Sequence, residues 1–430
     1  MRNSEYLSML PNPKIKRIVV AGGGFGGLEL CKELRSHNFE VVLVDRHNYH
    51  TFQPLLYQVA TGGLEPDSIA YPFRKLFKNY PGFYFRLAEI KRIDFNNNMI
   101  CTDIGDLKYD FLVLATGSRT NFYGLEGVKK HAFAMKTVPQ ALDLRSIILQ
   151  NFEQALQLKS QELLKEQMSI VIVGGGATGV EMAGALGELK NNIFPLDYPE
   201  LDIEMMQVYL IEAGDRLISG MSKQASSKAF TYLKEMGINI LLSSNVKDYD
   251  GKIVYLNDGS TLSAKTVIWA AGVQGSVPEG IPSAFIVKSN RIKVNRYCQV
   301  ENTENVYALG DLAFMQEEKF PNGHPMLAPV AMQQAAFLAQ HFKRVRKKMK
   351  FKPFKYKDKG TMATVGRNKA VVDLPRFKFQ GIFAWFIWMF VHLMSLVGFR
   401  NRMIVLIDWF WNYVSYDQAL RLIIRPFKRT

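Results

Sequence analysis

Short runs of β-branched residues recur along this chain, and several are followed by a glycine-rich turn and a helical pattern. Residues 17–20 and 170–173 form two such runs, and residues 41–44 and 208–211 form two more further along each segment. Uninterrupted apolar runs of this length are typical of strands in a parallel sheet covered by helices on both faces. The pattern predicts an α/β fold in which one plan occurs twice.

A glycine fingerprint of the G-x-G-x-x-G kind follows the first strand of each repeat. Its glycines allow a tight turn and a close backbone approach, while the following helix offers N–H groups and a positive dipole end to a pyrophosphate. One such fingerprint is weak evidence, but two in this context predict two bound dinucleotides and electron transfer between them. The glycines are Gly22, Gly24 and Gly27 in the first copy and Gly174, Gly176 and Gly179 in the second.

An acidic residue ends the second strand of each repeat. Asp45 lies 21 residues beyond Gly24, the spacing expected of a carboxylate that binds a ribose. Glu212 lies 36 residues beyond Gly176, and a proline-containing connection over residues 191–202 accounts for the excess. A carboxylate at this position accepts the ribose 2′-OH and repels a 2′-phosphate, which favours NADH over NADPH. The nearby Arg216 leaves some NADPH use open.

Further strand-to-turn segments complete the expected domains. Residues 109–118, 266–272 and 305–311 each combine an apolar strand with a glycine turn. The simplest interpretation inserts one dinucleotide unit into another that is discontinuous along the chain. We therefore expect a flavin-binding domain over residues 14–135 and 285–340, an NADH-binding domain over residues 136–284 and a membrane-associating segment over residues 341–430.

The positive charge of the chain is concentrated near its C-terminus. The net charge is +15, and residues 343–378 contain fourteen Lys or Arg against two Asp, a net of +12. The next 19 residues, 381–399, carry no formal charge and are rich in Trp and Phe. Basic residues beside such a segment indicate binding to an anionic lipid surface. A nucleic-acid patch is the weaker alternative.

Two helices in the tail are expected to lie in the membrane interface rather than cross it. Residues 381–399 would suffice for a spanning helix but include His392 and Ser395. In the next segment Asp408, Asn412 and Ser415 are spaced to form a polar stripe. A spanning helix and a buried hairpin remain the alternatives.

The cysteines and histidines exclude several kinds of site. The three cysteines are far apart and form no C-x-x-C, which argues against a disulfide framework, a zinc ribbon and an adjacent redox pair. No metal site is expected from the seven histidines. The first 14 residues lack the apolar core of a secretory signal. A reducing compartment fits this composition.

These motifs resemble a known family of flavoproteins. The fingerprints, the turn at residues 115–117 and the segment 308–311 resemble the two-dinucleotide-binding flavoprotein superfamily over residues 14–340. Residues 48–60, 176–181 and 328–333, together with the tail from residue 381, resemble type II NADH:quinone oxidoreductases. The resemblance implies hydride transfer from NADH to noncovalent FAD, and then two-electron reduction of a membrane quinone without proton pumping.

The resemblance also implies roles for individual residues. It assigns the first glycine fingerprint, Asp45, Thr116, Gly117 and Asp311 to FAD, and the second fingerprint and Glu212 to NADH. Ala328, Ala331 and Gln333 match the quinone-site pattern, although Pro329 replaces its first glutamine. Lys369 corresponds to a basic residue near the quinone head group or to an ordinary solvated cation.

Glu181 has two possible roles. The resemblance links it to quinone binding or proton delivery, whereas Thr178 and Glu181 also match a helix capping box.

Several further expectations rest on the aromatic tail and on the resemblance. They are a peripheral position on the cytoplasmic face of the cell membrane, a homodimer, no nucleic-acid partner, and either menaquinone or ubiquinone as the acceptor. The nearest alternative is a sulfide:quinone oxidoreductase, which Cys298 keeps open. A second alternative is an apoptosis-inducing-factor-like flavoprotein with slow NADH oxidase activity.

Overall fold

The computed structural model describes residues 10, 15–36, 38–346, 352–415, 421–423 and 425–427, so part of the basic segment (347–351) lies outside the described residues. Two compact units are present. The first comprises the chain up to His50, Tyr71–Arg119 and Val273–Asp358, and the second comprises Thr51–Ala70, Thr120–Gly272 and the chain from Lys359 onward.

The strands and helices follow in chain order. The strands are β1 (Arg17–Ala21), β2 (Glu40–Asp45), β3 (Tyr49–Thr51), β4 (Ala70–Pro72), β5 (Phe83–Leu87), β6 (Ile90–Asp94), β7 (Met99–Thr102), β8 (Gly105–Lys108), β9 (Phe111–Leu114), β10 (Ser118–Thr120), β11 (Phe133–Ala134), β12 (Ile170–Val173), β13 (Val208–Ile211), β14 (Asn239–Leu241), β15 (Val246–Tyr249), β16 (Ile253–Leu256), β17 (Thr261–Ser263), β18 (Thr266–Trp269), β19 (Val273–Gly275), β20 (Ile286–Val287), β21 (Arg291–Val294), β22 (Val306–Ala308), β23 (Ala313–Met315), β24 (Thr361–Thr364), β25 (Ala370–Asp373) and β26 (Lys378–Gln380). The helices are α1 (Phe25–Glu33), α2 (Leu56–Ala60), α3 (Pro66–Ile69), α4 (Phe73–Leu76), α5 (Glu126–His131), α6 (Val138–Ala155), α7 (Gln161–Met168), α8 (Ala177–Glu188), α9 (Phe194–Asp197), α10 (Lys223–Glu235), α11 (Ala328–Arg346), α12 (Gly381–Ser395) and α13 (Phe399–Ser415).

The first unit is built on a parallel sheet in the order β22-β9-β1-β2-β5. Every residue of β1 is buried, which explains why its sequence is apolar on both faces. The antiparallel strands β6, β7 and β8 precede β9 in the chain. Helix α11 packs on α1, so the last helix of this unit lies beside the helix that follows the first glycine turn.

The second unit repeats this plan with the order β11-β18-β12-β13-β14. Strands β15, β16 and β17 occupy the place in the chain order that β6, β7 and β8 have in the first unit. The long connection expected before Glu212 contains a π-helical turn, Leu189–Ile193, followed by the short helix α9. The predicted α/β fold with two dinucleotide-binding-type sheets is confirmed.

The C-terminal segment of the second unit consists of a three-stranded antiparallel sheet, β24 to β26, followed by helices α12 and α13. Helix α12 packs on β25 and on α13. Within the residues that the structure describes, none of the helices combines the length and the apolar character needed to cross a bilayer.

Candidate functional site

The first glycine turn combines two tightly packed glycines with one that faces open space. Gly22 has a φ of +103°, and a Cβ added there would lie 2.5 Å from the Ala115 carbonyl oxygen. A Cβ on Gly27 would lie 1.8 Å from the carbonyl oxygen of Gly22. Gly24 is the N-cap of α1. A Cβ added to Gly24 would have no atom within 4 Å, and no side chain caps this end of the helix. The N–H groups of this helix end are therefore available to an anion.

Asp45 holds the same turn at the end of β2. One carboxylate oxygen accepts the Gly23 N–H at 2.6 Å, and the other accepts the His47 N–H at 2.7 Å. The Gly23 carbonyl lies 3.0 Å from Nδ1 of buried His50. Burial lowers the pKa of His50 to about 4, so this ring is neutral at pH 7 and donates to the carbonyl without bringing a charge. Asp45 and His50 thus fix the glycine turn from two sides.

The remaining candidate FAD ligands are also ordered within the first unit. Gly117 has a φ of +68° and an open Cβ direction. The Thr116 hydroxyl donates to the Ser276 carbonyl at 2.7 Å, and Ser118 donates to Asp311 at 2.5 Å. An uncapped helix end, a turn where only glycine fits and an acid at the strand end suit the pyrophosphate and ribose of FAD. The residues present therefore fit this cofactor.

The glycine turn of the second unit is built in the same way as that of the first. Gly174 has a φ of +111°, and a Cβ on Gly179 would lie 1.8 Å from the Gly174 carbonyl oxygen. Gly176 is the N-cap of α8, lacks a side-chain cap and faces open space. Glu212 accepts the N–H groups of Gly175 at 2.6 Å and Gly214 at 2.7 Å, the same pairing that Asp45 makes. The second site therefore fits a dinucleotide as well as the first.

The guanidinium of Arg216 is engaged locally. It donates to the carbonyls of Met221 at 3.0 Å and Ser219 at 2.6 Å. A 2′-phosphate would have to compete with these bonds and with the charge of Glu212.

Helix α11 carries the predicted quinone residues in the first unit. Ala331 packs against Gly310, because a Cβ added to Gly310 would lie 2.8 Å from the Cβ of Ala331. The Gln333 amide is paired at both ends with the Lys357 backbone, donating to the carbonyl at 2.9 Å and accepting the N–H at 3.0 Å. Its neighbour Gln334 is fully buried and accepts the Gly310 N–H at 2.8 Å. Gln334 therefore supports the turn that presents Asp311.

Glu181 is buried inside the second unit. One of its oxygens accepts the Thr364 N–H from β24 at 3.4 Å. Burial raises the pKa of Glu181 to about 8, and this bond and the Trp388 indole partly oppose the rise. Because α8 begins after Gly176 without a side-chain cap, the structure does not contain the capping box that the sequence allowed. Glu181 is thus a carboxylic acid that is mostly protonated at pH 7.

A cavity of about 370 Å³ lies in the second unit, and all the residues that line it belong to that unit. Its polar side is formed by α8 and by the turn between β24 and β25. Its aromatic side comes from α2, α12 and α13. The polar residues are Glu181, Glu188, Asn368 and Lys369. The aromatic residues are Tyr57, Trp385, Trp388 and Trp409. The volume falls within the range of small-molecule sites, about 300–1,000 Å³.

The structure brings Lys369 and Glu181 to the same cavity. The Lys369 ammonium lies 2.7 Å from a carboxylate oxygen of Glu235 and 5.4 Å from the centre of the Tyr232 ring. This cation is therefore held in place by α10 and is not an isolated solvated charge.

The outer surfaces of α12 and α13 are apolar and exposed. Large side chains that are more than half exposed include Phe383, Phe386, Phe390, Phe399, Ile407, Phe410, Trp411 and Val414. Two asparagines of α13 point the other way: Asn401 donates to the carbonyls of Asp67 and Ala70, and Asn412 donates to that of Gly63. Of the expected polar stripe, Asn412 therefore helps to anchor the helix to the 51–70 segment, whereas Ser415 is exposed and donates to the Trp411 carbonyl of its own helix at 2.8 Å.

Two parts of the chain match known families. Residues 16–335 match the pyridine nucleotide-disulphide oxidoreductase family, and residues 359–415 match the NDH2 C-terminal domain. The type II NADH:quinone oxidoreductase Ndh of Mycobacterium tuberculosis is 31% identical over 418 residues, which cover 94% of this chain and 89% of that protein. The chain belongs to the type II NADH:quinone oxidoreductase family. Its Haemophilus influenzae relative is 30% identical, covering 93% of this chain and 99% of that protein.

Solved structures agree with this assignment at the level of the fold. NDH2 from Plasmodium falciparum in complex with NADH superposes with a TM-score of 0.88 at 22% identity, covering 96% of this chain and 100% of that one. The sulfide:quinone oxidoreductase of Aquifex aeolicus gives a TM-score of 0.71 at 21% identity, covering 94% and 96%. As a member of its family, the chain is an FAD-dependent NADH dehydrogenase that passes electrons to a quinone and associates with the membrane. The predicted family, enzyme class and cofactors are confirmed.

The sequence analysis assigned no role to several residues around these sites. His50 and Gln334 hold the glycine turns, and Trp388 and Glu188 line the cavity. His50 and Gln334 lie inside or beside segments that the family resemblance had already marked, which was the available signal. Trp388 lay in an apolar run and Glu188 in a helix, where nothing distinguishes a cavity residue from its neighbours.

Proposed function

We propose that the cavity of the second unit receives the quinone from the membrane side and that Glu181 supplies a proton during its reduction. The observation that supports this is one cavity lined both by aromatic side chains of α12 and α13 and by the buried acid Glu181. A quinone combines an apolar chain with a polar ring that needs protons when it gains electrons. An acid whose pKa lies near the working pH is suited to general acid catalysis.

The proposed cofactor contacts follow from the two glycine turns. In the first unit the N–H groups around Gly24 bind the FAD pyrophosphate, Asp45 binds the ribose, and Thr116, Gly117 and Asp311 border the rest of the cofactor. In the second unit the N–H groups around Gly176 bind the NADH pyrophosphate and Glu212 binds the ribose. When bound, FAD accepts a hydride from NADH and hands on its electrons. The corresponding domains are residues 14–135 with 285–340 for FAD and 136–284 for NADH.

The family pattern proposes Ala328, Ala331 and Gln333 on α11 as quinone residues; α11 belongs to the first unit, and these three residues are not among those that line the cavity. The small side chain of Ala328 would allow a flat ring to approach the helix, whereas Ala331 is buried against Gly26 and Gly310. Gln333 already uses both ends of its amide on Lys357, so contact with a quinone requires it to share or exchange those bonds. Lys369, held by Glu235, places a positive charge at the cavity where negative charge develops on the quinone. The quinone is menaquinone or ubiquinone.

The proposed membrane contact is the apolar outer face of α12 and α13. Exposed aromatic and aliphatic side chains on two neighbouring helices, with the cations of residues 343–378 before them in the chain, suit an anionic bilayer surface. We place the enzyme on the cytoplasmic face, as a homodimer, without proton pumping or a nucleic-acid partner. Reconstituted vesicles with an entrapped pH dye should show no proton translocation during turnover, and sedimentation analysis in detergent should give the dimer mass.

The test of the acceptor site compares two variants of the cavity with one control. Glu181→Gln should lower the kcat for NADH oxidation by a short-chain quinone roughly 100-fold, the scale of general acid catalysis. Ala185→Phe should fill part of the cavity and raise the quinone KM. Glu162→Gln, an exposed carboxylate on α7, is the control and should change neither constant. Normal quinone kinetics in both cavity variants would contradict the proposed site.

The sulfide:quinone alternative needs a reactive thiol, and the cysteines do not suit that role. Cys298 is fully buried, and burial raises the pKa of its thiol, so it stays protonated. Cys31 is in the same state. Quinone-stimulated NADH oxidation would also argue against slow oxidase activity of the apoptosis-inducing-factor kind.

A further inference from the structure

A second carboxylate, Glu188, lines the same cavity as Glu181. The two residues are seven positions apart on α8, which places them on the same face of the helix about 10 Å apart along its axis. Glu181 is buried, whereas Glu188, in the last turn of α8, is partly exposed. The helix therefore presents two acids to the cavity, of which Glu188 is the more exposed.

Glu188 is held by the turn between β24 and β25. One of its oxygens accepts the Arg367 N–H, and a Cβ on Gly366 would lie 2.9 Å from that oxygen. Burial raises the pKa of Glu188, while this bond and the charges of Arg367 and Lys369 oppose the rise. The titratable or charged groups that face it are Arg367 and Lys369 from the turn, Glu235 of α10 through Lys369, Tyr57 of α2 and Glu181 of its own helix.

The cavity also contains a polar atom that calls for water. The Asn368 side-chain oxygen is buried and has no hydrogen-bond partner among the described residues, whereas the Trp388 indole faces Glu181. Buried polar groups of this kind are usually satisfied by ordered water. Three waters, joined through four hydrogen bonds of about 2.8 Å, span about 11 Å, which is enough to connect two residues about 10 Å apart along the helix.

We infer that Glu188 is the proton-entry residue of the quinone reaction, taking a proton from solvent and passing it through cavity water to Glu181. This inference rests on the proposed acceptor site. In each turnover NADH is oxidised to NAD⁺, the quinone is reduced to the quinol, and one net proton is taken from solution. Glu181 gives its proton to one oxygen of the reduced quinone and becomes a carboxylate, while the hydrogen on the other oxygen corresponds to the hydride that NADH released. Glu188 then returns a proton to it through the water chain and is itself reprotonated by solvent.

The experiment separates proton transfer from support of the turn. The FAD-loaded enzyme in mild detergent is reduced by NADH without quinone, and then reoxidised by a short-chain quinone, with flavin absorbance recorded across pH 6–9. The variants are Glu188→Gln, which can still accept the Arg367 N–H, Glu188→Ala, which cannot, and Glu188→Asp, which keeps an acid. Glu162→Gln is the matched control, and thermal unfolding checks the fold of each variant.

A relay predicts that Glu188→Gln and Glu188→Ala slow the quinone step equally, by about tenfold or more, with reduction by NADH within twofold of wild type. Glu188→Asp should retain part of the rate, and a small weak acid such as imidazole should restore it in the Gln variant. In an infrared titration of the oxidised holoenzyme, the carboxyl band that is lost in Glu188→Gln should titrate above the range of an ordinary glutamate, which reports the group independently of turnover.

Two results would overturn the relay. Wild-type quinone rates in Glu188→Gln with slow rates in Glu188→Ala would make Glu188 a structural acceptor for Arg367. Unchanged rates in all three variants would exclude any role. Failure of the proposed function is a separate outcome, because a wild-type enzyme whose reduced flavin is not reoxidised by quinone would remove the acceptor site and the relay together.

Discussion

Alanine at the middle glycine of each fingerprint, Gly24 or Gly176, should separate cofactor binding from folding. Gly24 and Gly176 are the N-caps of α1 and α8, and their backbone angles suit any residue. An added Cβ meets no protein atom within 4 Å at either position. Gly24→Ala and Gly176→Ala should therefore leave the fold intact. The methyl group would instead occupy the space through which a pyrophosphate approaches the helix N–H groups.

The expected rise in Kd follows from the hydrogen bonds to the pyrophosphate that the added methyl group would block. A hydrogen bond to a charged group contributes about 1.5–3 kcal/mol, and each 1.4 kcal/mol changes a binding constant tenfold. Loss of one such bond should raise Kd about 10- to 100-fold. Gly27→Ala is the contrasting variant, because its Cβ would lie 1.8 Å from a backbone oxygen. Relief of that clash requires backbone movement, at a cost of about 3 kcal/mol and a fall in Tm of roughly 6–12 °C.

Isothermal titration and thermal unfolding of the FAD-free chain measure both quantities. Gly24→Ala should weaken FAD binding at an unchanged Tm, while Gly176→Ala should weaken NADH binding and retain FAD. Normal FAD affinity in Gly24→Ala would refute the assignment of this helix end to the pyrophosphate. Loss of FAD from Gly176→Ala would show that the two sites had been assigned to the wrong dinucleotides.

Three further predictions concern Glu181, Glu212 and Phe410. Because the pKa of Glu181 is raised from 4.5 to about 8, the folded chain still binds a proton over this pH range that the unfolded chain has released. The free energy of unfolding should therefore fall by roughly 3–5 kcal/mol as pH rises through this range. Denaturant unfolding of Glu181→Gln should lack this loss, and an equal loss in the variant would disprove the shift. Glu212→Gln removes the charge that opposes a 2′-phosphate and should lower the Kd for NADPH relative to NADH about tenfold by fluorescence titration; an unchanged ratio would refute its role. Phe410→Glu should weaken cosedimentation with anionic vesicles at least tenfold, whereas Leu196→Glu, exposed on α9, should not; equal binding by both variants would contradict the membrane face.

The fold was largely predictable because its signals are local. Continuous apolar runs and glycine turns specify β1, β12 and the helices that follow, and the acids at Asp45 and Glu212 mark the ends of the next strands. The structure adds that each acid also fastens its own glycine turn. The role of His50 was not predictable, because it depends on which backbone carbonyl the fold brings to its ring.

The cavity and the C-terminal helices contain features that sequence patterns do not predict. Spacing alone predicted a polar stripe on α13, but not that Asn412 reaches the Gly63 carbonyl or that Asn401, outside the stripe, reaches the carbonyls of Asp67 and Ala70. The environment of Glu181 is made by Thr364 and Trp388, about 180 and 200 residues away in the chain. Such long-range packing determines whether an acid is a solvated cap or a buried proton donor, and no window of sequence contains it.

The most direct test of the central claim is an anaerobic titration of the FAD-loaded chain followed by flavin absorbance. One equivalent of NADH should bleach the flavin, and one equivalent of a short-chain quinone should restore its full absorbance. A flavin that NADH does not bleach, or that stays bleached when quinone is added, would contradict electron transfer from NADH through FAD to a quinone.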